Sequence, residues 1–131
     1  RDLRMSRGLG DVYKRQAMEN VIFNELKLRG FNVDVGVIEI NSTNEKGNRV
    51  RKQLEIDFVC NKGSRRYYIQ SAYAMPDQVK MEQEQRSLML TGDAFKKIII
   101  TKDSPGPYYN EDGVLVMNIF DFLLDENMLN Y

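Results

Sequence analysis

A two-residue turn between two apolar runs constrains this chain more than any other feature. Gly63-Ser64 is a pair that tight hairpin turns favour, and it separates a run with Leu54, Ile56, Phe58 and Cys60 at alternate positions from the apolar stretch 66–73. Alternation places those four side chains on one face of a strand and Gln53, Glu55, Asp57 and Val59 on the other. A turn of two residues also fixes the register: Cys60 faces Tyr67, Phe58 faces Ile69, Asp57 faces Gln70 and Glu55 faces Ala72. Asp57 and Gln70 are thereby expected on one face of the sheet.

The rest of the chain extends this hairpin into an α/β domain. Over 17–28, Glu19, Phe23 and Leu26 share a helical face with Ile22 beside them, and Gly30 follows where a C-terminal cap belongs. Residues 31–40 alternate as a strand, with Phe31, Val33, Val35 and Val37 on one side. The polar stretch 41–51 has no period and is expected to be an exposed loop. Pro76 is placed to open a second helix that ends near Gly92. Residues 95–101, with Ile98, Ile99 and Ile100 in succession, and 114–117 have the apolar content of strands covered on both faces. Between them, 102–113 is a loop rich in proline, glycine and acid, and 119–124 is a short amphipathic helix. The predicted order is helix, three-strand meander, helix, two further strands and a C-terminal helix around a mixed sheet.

Composition removes several classes of function. With 131 residues the chain holds one domain, and its 19 basic residues balance its 19 acidic ones, so any contact with nucleic acid must be local. Histidine is absent, which excludes imidazole acid–base catalysis, histidine triads and the usual zinc ligand sets. Cys60 has no partner for a disulfide and reads as a buried thiol, consistent with a reducing cytoplasm. No apolar run approaches the roughly 18 residues of a membrane span, and no apolar signal segment opens the chain. No residue pattern identifies a small-molecule substrate. The stretch SRGLGDVYKRQ, Ser6 to Gln16, resembles a translated library adaptor, so residues 1–16 are expected to be a non-native leader and 17–131 the domain proper. On that reading the domain is the C-terminal fragment of a longer protein.

The element order and four positions resemble the PD-(D/E)XK nuclease superfamily, whose restriction-endonuclease-like core is a helix, a three-strand meander, a helix and a further strand. In such enzymes a glutamate of the first helix and acids on the second and third strands hold a divalent metal, since hard cations need several converging anionic oxygens. A lysine two positions after the last acid assists at the phosphate. The resemblance puts Glu19 of AMEN, Asp57 of EIDFV, Gln70 of YIQSA and Ala72 at these places. Two depart from the pattern: Gln70 offers only a neutral carbonyl, and Ala72 leaves the lysine position vacant, so Glu19 and Asp57 would form a weak metal site at best. Gln70 could instead satisfy Asp57 by a cross-strand hydrogen bond, leaving a relic pocket. Lys80 on the second helix is the nearest candidate for a relocated lysine, whereas Lys52 points to the wrong face.

More specifically, AMENVIFNEL, LEIDFVCN, YYIQSA and the terminal IFDFLLDEN resemble the C-terminal domain of a bacterial AAA+ ATP-binding protein family. That resemblance implies an upstream P-loop ATPase, which would be the domain's own partner; no Walker motif occurs in this chain. Arg65 and Arg66 beside Tyr67 and Tyr68, Arg51 near the other end of the hairpin, and Arg86 near Gln83 on the second helix are the candidate nucleic-acid contacts. The expected function is therefore a degenerate nuclease fold serving as an interaction or nucleic-acid-sensing module, with no cofactor. The alternatives are an active magnesium- or manganese-dependent DNA nuclease, and a structural domain that packs on its own ATPase or on a protein partner.

Overall fold

A computed structural model of the chain describes residues 3–74 and 77–131. The elements are α1 (Leu3–Leu28), β1 (Asn32–Thr43), β2 (Arg49–Lys62), β3 (Arg65–Ala72), α2 (Gln78–Met89), β4 (Lys96–Thr101), β5 (Tyr108–Tyr109), β6 (Leu115–Asn118) and α3 (Ile119–Leu124), followed by a 3₁₀ turn, Met128–Asn130. The strands form one six-stranded mixed sheet in the order β1-β2-β3-β4-β6-β5. β1, β2 and β3 are antiparallel neighbours, β3, β4 and β6 run parallel, and β5 returns antiparallel to β6. The order is the helix, meander, helix and further strands expected of the restriction-endonuclease-like core.

The sheet is the middle layer of three. On one face Met18, Ile22 and Leu26 of α1, spaced four residues apart, pack with Phe122 of α3 onto Phe58, Cys60, Ile69, Ile98 and Ile100. On the other face Met81 and Leu88 of α2 cover Ile56, Tyr68, Ala72, Ile99 and Val116. Consecutive isoleucines of β4 thus enter opposite cores, which is why that run is apolar without alternation. Phe23 does not join the core face of α1; it is 42% exposed. Cys60 is fully buried, its Sγ donates to the Tyr67 carbonyl at 3.5 Å, and burial pushes its thiol up to about 12.

The Gly63-Ser64 turn holds as read: Lys62 pairs with Arg65, Cys60 with Tyr67 and Phe58 with Ile69, and Gly63 takes the positive φ of 61° that such a turn requires. The pairing stops there, because β2 carries a bulge. Asp34 pairs with Val59 but Gly36 pairs with Ile56, so Val35 alone opposes Asp57 and Phe58. One extra residue reverses the parity of β2. Leu54, Ile56, Phe58 and Cys60 therefore do not share a face: Phe58 and Cys60 lie under α1, and Ile56 lies under α2. Gly36 sits against the bulge, where a Cβ would come within 2.7 Å of Val59 Cγ2.

Three further expectations are corrected. The stretch 41–51 is not a loop: β1 and β2 remain paired as far as Thr43 and Arg49, with a turn over 44–48 closed by Asn44, whose side chain accepts from the amides of Lys46 and Asn48. Polar alternation in a two-stranded arm carries no apolar period to read. β5, within the stretch read as loop, pairs Tyr108 with Val116 and Tyr109 with Leu115. The first helix does not begin near Ala17 but continues back to Leu3; residues 12–17 are exposed and Met18 is the first buried position among the described side chains. The opening of the second helix at Pro76 lies outside the described residues. Within them, Asp77 caps α2, its carboxylate accepting from the Lys80 amide at 2.8 Å.

Candidate functional site

The bulge decides where the acids point. With parity reversed, Asp57 turns to the α1 face, and its Oδ2 accepts the Ser71 backbone N–H at 2.9 Å. The Ser71 hydroxyl is 3.5 Å from Glu19 Oε1, to which it donates. Ser71 thus links the helix-one glutamate to the strand-two aspartate. Gln70, one residue earlier, points to the α2 face, as strand alternation demands. It is 7% exposed. Its Oε1 accepts the Asp57 backbone N–H at 2.6 Å, and its Nε2 reaches the Glu55 and Glu84 carbonyls at 3.4 and 3.3 Å and Ser87 Oγ at 3.2 Å.

The expected pairing of Asp57 with Gln70 across one face is therefore not formed. Glu19 and Asp57 come together as expected, and Gln70 lies behind them with its amide committed to three backbone groups and the Ser87 hydroxyl. This is close to the alternative in which Gln70 satisfies Asp57, except that the bond is to the main chain. Ala72 borders the site without contributing a polar side chain.

Glu19, Asp57, Ser71 and Ala72 line an open cavity of about 290 Å³ together with Lys80 and Glu84 of α2 and Arg15 of α1. Lys80, the candidate for a relocated lysine, is thus at the same cavity. Arg15 belongs to the stretch expected to be foreign, yet borders it too. Glu84 was missed in the sequence: its helix turns are so polar that no period singles it out, and only the placement of α2 over β3 brings it here.

The three carboxyls are all held above their ordinary range. Burial is the main cause for each. The Asp57 charge adds to the rise at Glu19 and Glu84, while Ser71 and Arg15 partly offset it at Glu19. At Asp57 the Ser71 amide and hydroxyl oppose burial, and the Glu55 charge adds to it.

A divalent cation is what a nuclease of this fold would place here, and the donor set falls short of it. Among the described residues no three histidine, cysteine, aspartate or glutamate side chains converge closely enough to hold a metal ion. Gln70, which the resemblance would make the third ligand, faces the other side of the sheet.

The proposed basic contacts do not form one surface. Arg65 and Arg66 begin β3, whereas Arg51 lies eleven residues back from the Lys62 end of β2, about 36 Å along the strand. Arg86 is exposed on α2. Arg66 is held by Asn61 at 2.7 Å and lies over the Phe95 ring at 5.5 Å. No helix among the described residues is long and apolar enough to cross a membrane.

No family model matches the chain, and no solved structure matches it. It is similar to an uncharacterised protein of Haemophilus influenzae, at 34% identity over 110 residues. The similarity covers 82% of this chain and 22% of that protein, so the chain spans about a fifth of its relative's length.

Proposed function

We propose that this domain is a degenerate PD-(D/E)XK nuclease fold that binds rather than cuts, serving as an interaction or nucleic-acid-sensing module at the end of an AAA+ ATPase. The observation that carries the reading is the use of Gln70. A residue at the position of a metal-binding acid spends both ends of its amide on Asp57, Glu55, Glu84 and Ser87. A side chain so engaged stabilises the site's frame and takes no part in chemistry at the cavity. The Ala72 position adds no cation beside a phosphate. The cavity that remains, with Lys80 and Arg15 among acids held above their ordinary range, suits a polar ligand. The test is retention of the chain by DNA at low and high salt, together with titration by magnesium and manganese. Salt-sensitive retention without tight metal binding is the expected result.

A second reading, metal-dependent hydrolysis with Lys80 replacing the lysine missing at 72, is favoured by the presence of Lys80 at the cavity of Glu19 and Asp57. Cleavage of DNA that depends on added metal and on Lys80 would support it over the first.

A further inference from the structure

We infer that the end of the sheet remote from the acidic cavity carries a second surface, which binds single-stranded nucleic acid through its phosphates and a stacked base. The inference rests on the nucleic-acid reading above but assigns it to a different place. The two ends are separated by the length of β3, about 23 Å over seven residue steps.

The first half of the surface is cationic. Arg29, just beyond α1, has a side chain only 8% exposed. Its Nη2 donates to the Phe122 carbonyl at 2.5 Å, and its guanidinium lies over the Phe122 ring at 4.6 Å. Nε is 3.4 Å from the Glu25 carboxylate but without hydrogen-bond geometry, and Nη1 has no acceptor among the described residues. A buried guanidinium left with free N–H groups is costly unless an oxygen meets them. Arg29 borders a cavity of about 420 Å³ whose rim also carries Lys62 and Arg65. Glu126 opposes them from the same rim, and Glu25 is held by Arg29. The set suits an oxyanion such as a phosphodiester.

The second half is aromatic. Asn130 lines that cavity and receives the Tyr67 hydroxyl hydrogen bond, and the next residue, Tyr131, stacks on Tyr109 with centroids 6.4 Å apart and planes 18° apart. Tyr131 and Tyr109 are 61% and 48% exposed, so each ring has area free. Lys96, the register partner of Tyr67 on β4, stands 5.7 Å over the Tyr109 ring. Cations spaced along a backbone track, next to exposed rings on which bases stack, are the elements of single-strand binding. A duplex, whose bases are already stacked inward, cannot use the tyrosines.

The experiment measures fluorescence anisotropy of a labelled oligothymidylate of about 12 nucleotides, and of a duplex of the same length, against the full chain over a salt series. Three paired variants are compared, each with its circular dichroism: Tyr109→Ala with Tyr131→Ala, Lys62→Glu with Arg65→Glu, and, at the exposed tip of the β1–β2 arm, Lys46→Glu with Arg49→Glu. The first two pairs should each weaken single-strand binding about tenfold or more. The second should also reduce the salt slope by about 1.4, near 0.7 per lost phosphate contact. The third should stay within about twofold, and the duplex should bind more weakly than the single strand. Native affinity in either of the first two pairs overturns this surface while leaving nucleic-acid binding elsewhere intact. Failure of the unaltered chain to bind either oligonucleotide at low salt overturns both this surface and the nucleic-acid reading.

Discussion

The Gln70 side chain accepts the Asp57 backbone N–H at 2.6 Å, although Gln70 and the Asp57 carboxylate occupy opposite faces of the sheet. The bulge in β2 frees that amide from the ladder, and Gln70 takes it up while its Nε2 reaches across to α2. One buried side chain therefore joins the strand that carries Asp57 to the helix that carries Glu84.

Gln70→Leu removes an acceptor for the Asp57 amide and a donor to three oxygens in a buried place. The loss should be about 2 to 4 kcal/mol of stability, read as a lowered urea midpoint with unchanged slope. Gln70→Glu should also destabilise, because a carboxylate would face the Glu55 and Glu84 carbonyls with no proton to donate. An unchanged midpoint in both variants would remove Gln70 from its bracing role.

Gly36→Ala tests the bulge itself. The added Cβ would meet Val59 Cγ2 at 2.7 Å and Ile56 Cβ at 3.1 Å, so strands or side chains must shift. About 1 to 3 kcal/mol of destabilisation is expected from thermal or urea unfolding. A neutral effect would mean that β1 and β2 do not approach so closely there.

Glu84 is held above its ordinary range by burial and by the Asp57 charge. A carboxyl raised in the folded state binds its proton more tightly there than in the unfolded chain. Its contribution is therefore favourable at low pH and declines as pH rises from the unfolded value, about 4.3, through the folded one. Glu84→Gln should raise the melting temperature at neutral pH and flatten the fall in stability above about pH 4. A lowered melting temperature at pH 7 would show that the Glu84 charge is instead stabilised by a partner.

How much of this was legible in the sequence depends on period. The Gly63-Ser64 turn, the isoleucine run of β4 and the 119–124 helix could be read because a turn residue or an apolar pattern marks each. The face of Asp57 could not: a bulge adds no residue type of its own, and Gly36, the nearest signal, sits on the partner strand. Glu19 and Asp57 were recognised by type and position, whereas Ser71 joined them only through the reversed parity. The arm over 41–51 and Glu84 were lost for the same reason, since polar residues on exposed elements have no alternation to follow.

Residues 1–16 offer a separate test. The helix starts at Leu3, residues 12–17 are exposed, and Met18 is the first buried position among the described side chains. A chain beginning at Ala17 should melt at the same temperature as the full chain, because the exposed turns over 12–17 add little to packing. A drop of several degrees would mean that this part of α1 packs.

The most direct test of the account is incubation of the chain with linear and branched DNA in magnesium or manganese, with product resolved on a gel. With Gln70 committed behind the site and no cation at Ala72, loss of charge stabilisation at the phosphate should cost about two to three orders of magnitude in rate, and the DNA should remain intact. Robust metal-dependent cleavage that Asp57→Ala abolishes would contradict the account and make the domain a working nuclease.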